Sequence, residues 1–272
     1  MRCRLLVNAG ALFLLGSCLP LVAQQSDTVF ADGFEPAVNF RFTSLALRDP
    51  HVFVNFLGCR DITDTPLVGF SINGSLQTEI QGDSDNDGLY DLSYLQSLKP
   101  LDQRHGATGL ATLAGAACST TTPTCVANAP PLAASDYVSQ MSGRCLGAIA
   151  GTVRPYSPAV LAADAPCFAT SAADVTLNVA GIPLPLHGAR IGATYVGNPA
   201  SDLVAGLLSG FVAESDADAT ILPSTLPLVG GQPLSAVLPG GTGNCAAFSD
   251  KEVVGGVSGW QFYLNFTATQ VQ

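Results

Sequence analysis

The stretch "WQFYLNFTA" at residues 260–268 alternates bulky apolar and more polar side chains along its whole length. One set of alternate positions is Trp260, Phe262, Leu264 and Phe266, and the other is Gln261, Tyr263, Asn265 and Thr267. Successive side chains of a β-strand point to opposite faces, so this pattern predicts a strand with one buried face.

The same period of two recurs elsewhere in the chain. It appears in "NFRFTSLAL" at 39–47 and in "VTLNVAGIPLPL" at 175–186, with "ARIGATYVG" following as a hairpin partner. Short turns such as "RDP" separate these runs. We therefore predict a mainly β fold, an antiparallel β-sandwich or half-barrel.

Three segments are predicted to be helical. The main one is an amphipathic helix over 199–213, in which Leu203, Leu207 and Phe211 recur every four residues after an Asn-Pro and Ser-Asp start. A shorter helix is predicted at 92–98, and a single helical turn at 233–238.

The N-terminal residues are typical of an export signal. Arg2 and Arg4 precede an apolar run at 5–16, and "LVA" before Gln24 suits cleavage after Ala23. "LGSC" at 15–18 resembles a bacterial lipobox, which would make Cys18 a lipid anchor instead. We expect a signal peptide at 1–23, a linker at 24–38 and no transmembrane segment in the mature chain. The protein would be secreted or periplasmic, or an outer-membrane lipoprotein.

Charge and composition narrow the classes of function. Charged residues make up 12% of the chain, and loss of Arg2 and Arg4 takes the net charge from −10 to −12. Such an acidic chain repels phosphate backbones, so we expect no nucleic-acid partner. An acidic surface suits divalent cations.

The cysteines predict disulfides. Six lie beyond the predicted leader, an even number in an exported chain. We pair Cys118 with Cys125 across a small loop, and sequence order suggests Cys145–Cys167 and Cys59–Cys245. We interpret 39–272 as a single β-rich domain carrying a disulfide-stapled excursion at 106–173.

The stretch "GDSDNDGLYDLS" at 82–93 is the segment whose residue types and spacing point most clearly to a bound ligand, a metal ion. Counting from Asp83, acidic residues occupy positions 1, 3, 5 and 9, Gly88 is at position 6, and the carbonyl of Leu89 is at position 7. Ca²⁺ takes six to eight oxygen ligands, and a loop with this spacing can supply them. The metal ligands are predicted to be Asp83, Asp85, Asp87, Leu89 and Asp91.

This loop resembles the start of an EF-hand calcium loop. Position 12 departs from the pattern, because Tyr94 stands where an EF-hand has a bidentate glutamate. The preceding "GSLQTEIQ" (74–81) suggests a strand, so the context is nearer the single calcium loops of dockerin and thrombospondin type 3 modules. The missing ligand would come from elsewhere, with Asp61, Asp64 and Asp102 as candidates.

The sequence supports several functions. The first is an exported, calcium-stabilised binding or surface module with an unknown ligand or surface partner, in which the ion is structural and no residue is catalytic. The second is a secreted hydrolase with a site assembled from scattered Asp and His residues, including His51, His105 and His187. The third is a periplasmic lipid-handling protein. A further acidic cluster at 214–218 suggests a helix end or a weaker cation site.

Overall fold

A computed structural model describes residues 35–179 and 181–272, and the predicted leader and most of the linker lie outside these residues. Of the described residues, 49% lie in strands and 8% in helices, so the prediction of a mainly β, antiparallel fold is confirmed. No helix within the described ranges is both long and apolar enough to span a bilayer.

The secondary-structure elements follow one another in chain order. The strands are β1 Val38–Asp49, β2 Phe53–Asn55, β3 Cys59–Asp61, β4 Tyr94–Lys99, β5 Thr108–Cys118, β6 Cys125–Ala127, β7 Ala133–Gln140, β8 Arg144–Leu146, β9 Ala163–Asp164, β10 Cys167–Thr170, β11 Ala173–Val179, β12 Ile182–Gly197, β13 Ala200–Ala213, β14 Lys251–Val254 and β15 Val257–Val271. The helices are α1 Ile72–Gln81, α2 Glu214–Ala219 and a 3₁₀ turn at Leu234–Val237.

The main sheet closes on itself. Its path runs β1-β4-β5-β7-β10-β12-β13-β15, and β15 pairs again with β1. Every pairing on this path is antiparallel, and β6, β11 and β14 pair with β5, β12 and β15 outside the closed path. Residues 106–173 contribute β5, β7 and β10 to this sheet.

The large apolar core is formed by inward-facing side chains of the closed sheet. Phe40, Phe42, Tyr137, Phe168 and Trp260 are almost fully buried in it. The ring of Phe42 stacks on that of Phe266 across the β1–β15 pair, with centroids 4.1 Å apart. Burial of such rings contributes roughly 1.5 to 3 kcal/mol each.

The alternation at 260–268 is confirmed as strand β15, but the prediction that only one face is buried was wrong. Gln261, Tyr263 and Asn265 are as buried as the apolar set. Residues 146–165 cover this second face, where Leu146 and Ala163 pack against Leu207 and Tyr263. Polar alternation therefore predicts the strand but not what covers it.

The helix predicted at 199–213 was wrong, because this segment is β13 in the middle of the sheet. The neighbouring residues Leu207 and Leu208 are both fully buried but belong to different clusters, one on each face. A helix could not place adjacent side chains on opposite faces, whereas a strand does so by construction. Spacing of four residues fits either structure, since four is also a multiple of two.

The structure reverses two secondary-structure predictions on either side of the 83–91 loop. The helix predicted at 92–98 was wrong, since Tyr94–Lys99 is β4, which pairs with β1 and β5. The strand predicted at 74–81 was also wrong, since this segment lies in α1. Ser71 caps α1 by accepting a hydrogen bond from the amide of Gly74 (3.2 Å), and Leu76 and Ile80 form its buried stripe. The helical turn predicted at 233–238 is confirmed.

All three predicted disulfides are confirmed: Cys59–Cys245, Cys118–Cys125 and Cys145–Cys167. The first joins β3 to the segment before β14, the second closes the β5–β6 hairpin, and the third joins β8 to β10. Three disulfides are consistent with an exported protein, because exported compartments are oxidising.

Replacing Gly206 by alanine should destabilise the protein by about 1 to 3 kcal/mol, because the sheet is closely packed there. A Cβ atom at residue 206 would lie 2.6 Å from the ring of Phe266, and that ring is held by its stack on Phe42. The effect can be measured by urea denaturation. The double variant with Phe266→Leu should lose less stability than the sum of the single changes, and simple additivity would contradict the proposed clash.

Candidate functional site

The acidic loop lies between the end of α1 and the start of β4. The order is thus helix–loop–strand, the reverse of the predicted strand–loop–helix. Asn86 and Gly88 have positive φ angles of 61° and 86°, which asparagine and glycine tolerate best. The sequence "DNDG" therefore folds into a tight turn that brings alternate side chains to one side.

Three of the predicted ligands converge. One carboxylate oxygen each from Asp83, Asp85 and Asp87 lies within 4.8 Å of the others. Among the described residues, these three form a group whose oxygen atoms are close enough to share a metal ion. Asp83 is half-buried, and the other two are exposed. Such a set of hard oxygen donors could hold a metal ion.

Backbone amides fix the orientation of these carboxylates. Asp83 accepts hydrogen bonds from the amides of Asp87 and Gly88, both 3.0 Å long. Asp87 accepts one from the amide of Leu89 at 2.8 Å. The carboxylates of Asp83 and Asp87 are therefore oriented by the backbone of the loop itself.

Asp91 lies apart from this group of three. Its carboxylate accepts hydrogen bonds from the amide and hydroxyl of Ser84, at 3.0 and 3.1 Å. It lines the same surface depression as Asp85, Asp87, Leu89 and Glu79, a space of about 440 Å³. Sequence reasoning missed Glu79, which lies in the last turn of α1, because the segment 74–81 was read as a strand.

Tyr94, at position 12 of the loop, points away from the group of three aspartates. Tyr94 is buried, and its hydroxyl donates a 2.5 Å hydrogen bond to the carbonyl of Asn178, so it faces the core. The three substitute ligands suggested from the sequence all have other partners. Asp61 bonds to His51, Asp64 to Arg48 and Asn73, and Asp102 to Arg104.

The loop is tied to the sheet on both sides. The amide of Tyr90 bonds to the carbonyl of Cys118, and that of Thr120 to the carbonyl of Gly88, each at 3.0 Å. Arg41 donates to the carbonyl of Ile80 at the end of α1, and its guanidinium lies 3.8 Å from the ring centre of Tyr90. The loop thus connects α1 to the hairpin that Cys118–Cys125 closes.

A second polar cluster, which sequence reasoning did not find, surrounds His51. Nδ1 of His51 lies 2.6 Å from a carboxylate oxygen of Asp61, and the ring stacks on Tyr156 with centroids 3.7 Å apart. Burial alone would raise the pKa of Asp61, but hydrogen bonds from His51 and Thr63 outweigh burial and lower it. Asp61 is therefore ionised and holds the proton of His51 on Nδ1.

The three histidines have separate surroundings. His105 is exposed in the turn before β5, and His187 lies between Asp174 and Asp216. No hydrogen bond joins any two of them. In the acidic cluster at 214–218, which forms α2, the carboxylates of Glu214, Asp216 and Asp218 bond to Lys251, His187 and Ser235, so each has a partner within the protein.

The apolar cavity beside α1 has a volume of about 50 Å³. It is enclosed by aliphatic side chains from α1, the β11–β12 hairpin and the 3₁₀ turn. Ligand pockets usually measure about 300 to 1,000 Å³. This cavity therefore offers no room for an acyl chain.

Comparison with protein-family models, with curated proteins and with solved structures found no match to this chain. The residues of the two clusters are thus the basis for any functional conclusion.

His187 makes stability depend on pH. Its hydrogen bond to Asp216 (2.8 Å), more than the burial that opposes it, raises its pKa, and Asp174 adds to the shift. The charged bridge stabilises the fold below the unfolded pKa of about 6.5, and the gain is lost as the pH rises through the higher folded value.

We therefore expect His187→Gln to lower the unfolding free energy near pH 5 but to leave it unchanged near pH 9. The effect should be below about 1 kcal/mol, because the pair is half-exposed and screened. Thermal denaturation across this pH range measures it, with His105→Gln as the control. An equal loss at both pH values would show that the bridge does not depend on charge.

Proposed function

We propose that the chain is an exported, β-rich binding or surface module whose 83–91 loop holds one calcium ion in a structural role. The observation that carries the proposal is the convergence of the Asp83, Asp85 and Asp87 carboxylates within 4.8 Å. The three cystines favour an extracytoplasmic location, where calcium is available.

The donor set favours calcium over other metals. The predicted ligands are carboxylates and one backbone carbonyl, with no imidazole or thiolate, which zinc and copper prefer. A loop of this kind can adapt to the irregular shell of Ca²⁺, whereas Mg²⁺ demands a stricter octahedron. Asp83, Asp85, Asp87 and the carbonyl of Leu89 would bind the ion, with Asp91 contributing through a water or by orienting Ser84.

Glu79 is the best candidate for the ligand that position 12 does not supply. It lies one turn before the loop and lines the same depression as Asp85 and Asp87. A carboxylate from the helix would add a further oxygen ligand to the shell. It would also join α1 to the ion, unlike the EF-hand, in which the loop itself supplies the ligands.

A structural role follows from the position of the loop. It connects α1, which packs against the core through Leu76 and Ile80, to β4, a strand of the closed sheet. The loop side chains are mostly exposed, so apolar burial does not hold it. An ion that neutralises three close carboxylates would fix this connection, whereas the empty loop would be strained by their mutual repulsion.

Removing calcium should destabilise the protein. At a calcium concentration about 100-fold above Kd, binding stabilises the fold by about 2.7 kcal/mol. For a domain of this size, that raises Tm by about 5 to 10 °C relative to the protein in EDTA. Scanning calorimetry with calcium, magnesium and EDTA checks this prediction.

Asp85→Asn and Asp87→Asn should abolish the calcium-dependent rise in Tm. The control is Asp136→Asn, which removes an exposed carboxylate from β7 and should leave the rise intact. If Tm is the same in calcium and EDTA for the unsubstituted protein, the loop is only a polar turn and the proposal fails.

Glu79→Gln should weaken calcium binding at least about tenfold, equivalent to about 1.4 kcal/mol, because it removes a charged ligand. Titration calorimetry measures the affinity, and Asp136→Asn is again the control. Unchanged affinity would exclude Glu79 as a ligand while leaving the three aspartates as the site.

A further inference from the structure

The loop of residues 147–162 runs from β8 to β9 without a helix or strand. Loops longer than about 12 to 15 residues without secondary structure are uncommon and are usually functional. Its two ends are held together, because Leu146 pairs with Ala163 and Cys145 is bonded to Cys167 close by. This is the arrangement of an Ω-loop, a compact surface loop whose ends lie close together and which is frequently functional.

The loop contributes little buried surface of its own. None of its residues is fully buried, and most are exposed. Segments with few buried apolar contacts occupy the low end of local stability. Near its two ends, Ala148 and Val160 pack against the cluster of Leu207 and Tyr263. Polar contacts with the sheet hold the rest of the loop in place.

Two of these contacts come from the outer face of β15. The hydroxyl of Tyr263 accepts a 2.9 Å hydrogen bond from the amide of Ile149. The side-chain amide of Asn265 accepts from the amide of Leu161 at 2.8 Å and donates to its carbonyl at 3.0 Å. Both side chains are neutral, so these contacts do not depend on pH in the physiological range.

The middle of the loop is held by ionisable groups. Asp49, at the end of β1, is only 2% exposed and accepts a 2.8 Å hydrogen bond from the amide of Arg154. The side chain of Arg154 pairs with Asp250, and the hydroxyl of Tyr156 donates to the other oxygen of Asp250 at 2.5 Å. The buried carboxyl groups of Asp49 and Asp250 therefore both bind the segment 154–156 of the loop.

The loop covers His51. The ring of Tyr156 lies flat on the imidazole, which is 4% exposed. Nδ1 is bonded to Asp61, whereas Nε2 is buried without a hydrogen-bond partner. Buried polar atoms are nearly always paired, so an unpaired imidazole nitrogen that is oriented by a carboxylate indicates a group that works when uncovered.

We propose that the 147–162 loop is a lid, held shut by its contacts with Asp49 and Asp250, and that its opening uncovers the His51–Asp61 pair. The uncovered imidazole has the arrangement of a proton acceptor, with its tautomer fixed by Asp61. The lid does not depend on calcium binding at 83–91.

The direction of the pH dependence follows from the surroundings of Asp49. Burial raises its pKa to about 7, and the hydrogen bond from Arg154 opposes the rise. Asp250 raises this pKa further, while His51 and the Arg154 guanidinium lower it. The two tyrosine hydroxyls that face the group, Tyr156 and Tyr263, stay protonated because burial raises their pKa values.

Opening exposes Asp49 to water and returns its pKa toward the ordinary value of 3.8. The closed form therefore holds the proton more tightly than the open form. The constant for closing should fall by up to about tenfold per pH unit between about pH 4 and 7, and should level off above about pH 7.

Two measurements on the calcium-loaded protein test the lid. Hydrogen exchange of 147–162, expressed as protection factors, should show protection near pH 5 that is lost near pH 8. Carbethoxylation by diethyl pyrocarbonate, quantified for each histidine by mass spectrometry, should find His51 unreactive near pH 6 and reactive near pH 8. Exposed His105 serves as the reference at each pH, because the reagent attacks only neutral imidazole.

Substitutions distinguish the lid from general loosening. Asp49→Asn keeps an acceptor for the Arg154 amide but cannot ionise, so its loop should stay protected at both pH values. Asp136→Asn should behave like the unsubstituted protein. Tyr156→Phe keeps the ring stack but loses the bond to Asp250, so the loop should open at lower pH even if Asp49→Asn fails to fold.

Several outcomes would overturn the proposal. One is a protection factor that does not change between about pH 5 and 8, the window set by Asp49. Another is an Asp49→Asn variant that opens as the unsubstituted protein does. A third is His51 as reactive as His105 in the acid range. None of these bears on the calcium site.

Discussion

Pairing of β1 with β15 is the constraint on which the rest of the fold depends. The register runs from Asn39 opposite Val271 to Asp49 opposite Tyr263, so it joins segments more than 200 residues apart. Closing so long a loop costs chain entropy, which the contacts that form on closure must offset. The stack of Phe42 on Phe266 stabilises the closed pair by burying apolar surface. Cys59–Cys245, with a sequence separation of 186, constrains the same loop in the unfolded chain and is worth about 5 kcal/mol in the chain-entropy model.

The sequence predicted the parts of this fold that local patterns encode. Alternation identified β15 and β11, and cysteine order and spacing identified the disulfides. It failed at β13, because spacing of four residues fits a helix and a strand equally well. The adjacent Leu207 and Leu208, both apolar, were the available signal that two faces are buried. It also failed for α1, where a strand was predicted although the Ser71 cap and the Leu76–Ile80 spacing were available signals of a helix.

The two clusters show the same division between local and distant information. The three aspartates lie within five residues of one another, so their spacing could be interpreted as a metal loop before the structure was known. The His51 cluster is assembled from the end of β1, β3, the 147–162 loop and the segment before β14. No local pattern joins residues separated by about 100 to 200 positions, so only the closed sheet brings Asp49, His51, Tyr156 and Asp250 together.

The irregular segments of this protein differ in what restrains them. A covalent bond spans the β5–β6 hairpin, and another joins the β2–β3 hairpin to the segment before β14. The 83–91 loop has converging carboxylates that an ion can bridge. The 147–162 loop has a disulfide only beside its base, and its middle rests on Asp49 and Asp250, two carboxyl groups buried close together. Burial raises the pKa of Asp49, so this carboxyl group holds its proton more tightly under the closed loop than it would in water. The same contacts that close this loop over His51 are therefore the contacts most sensitive to loss of a proton.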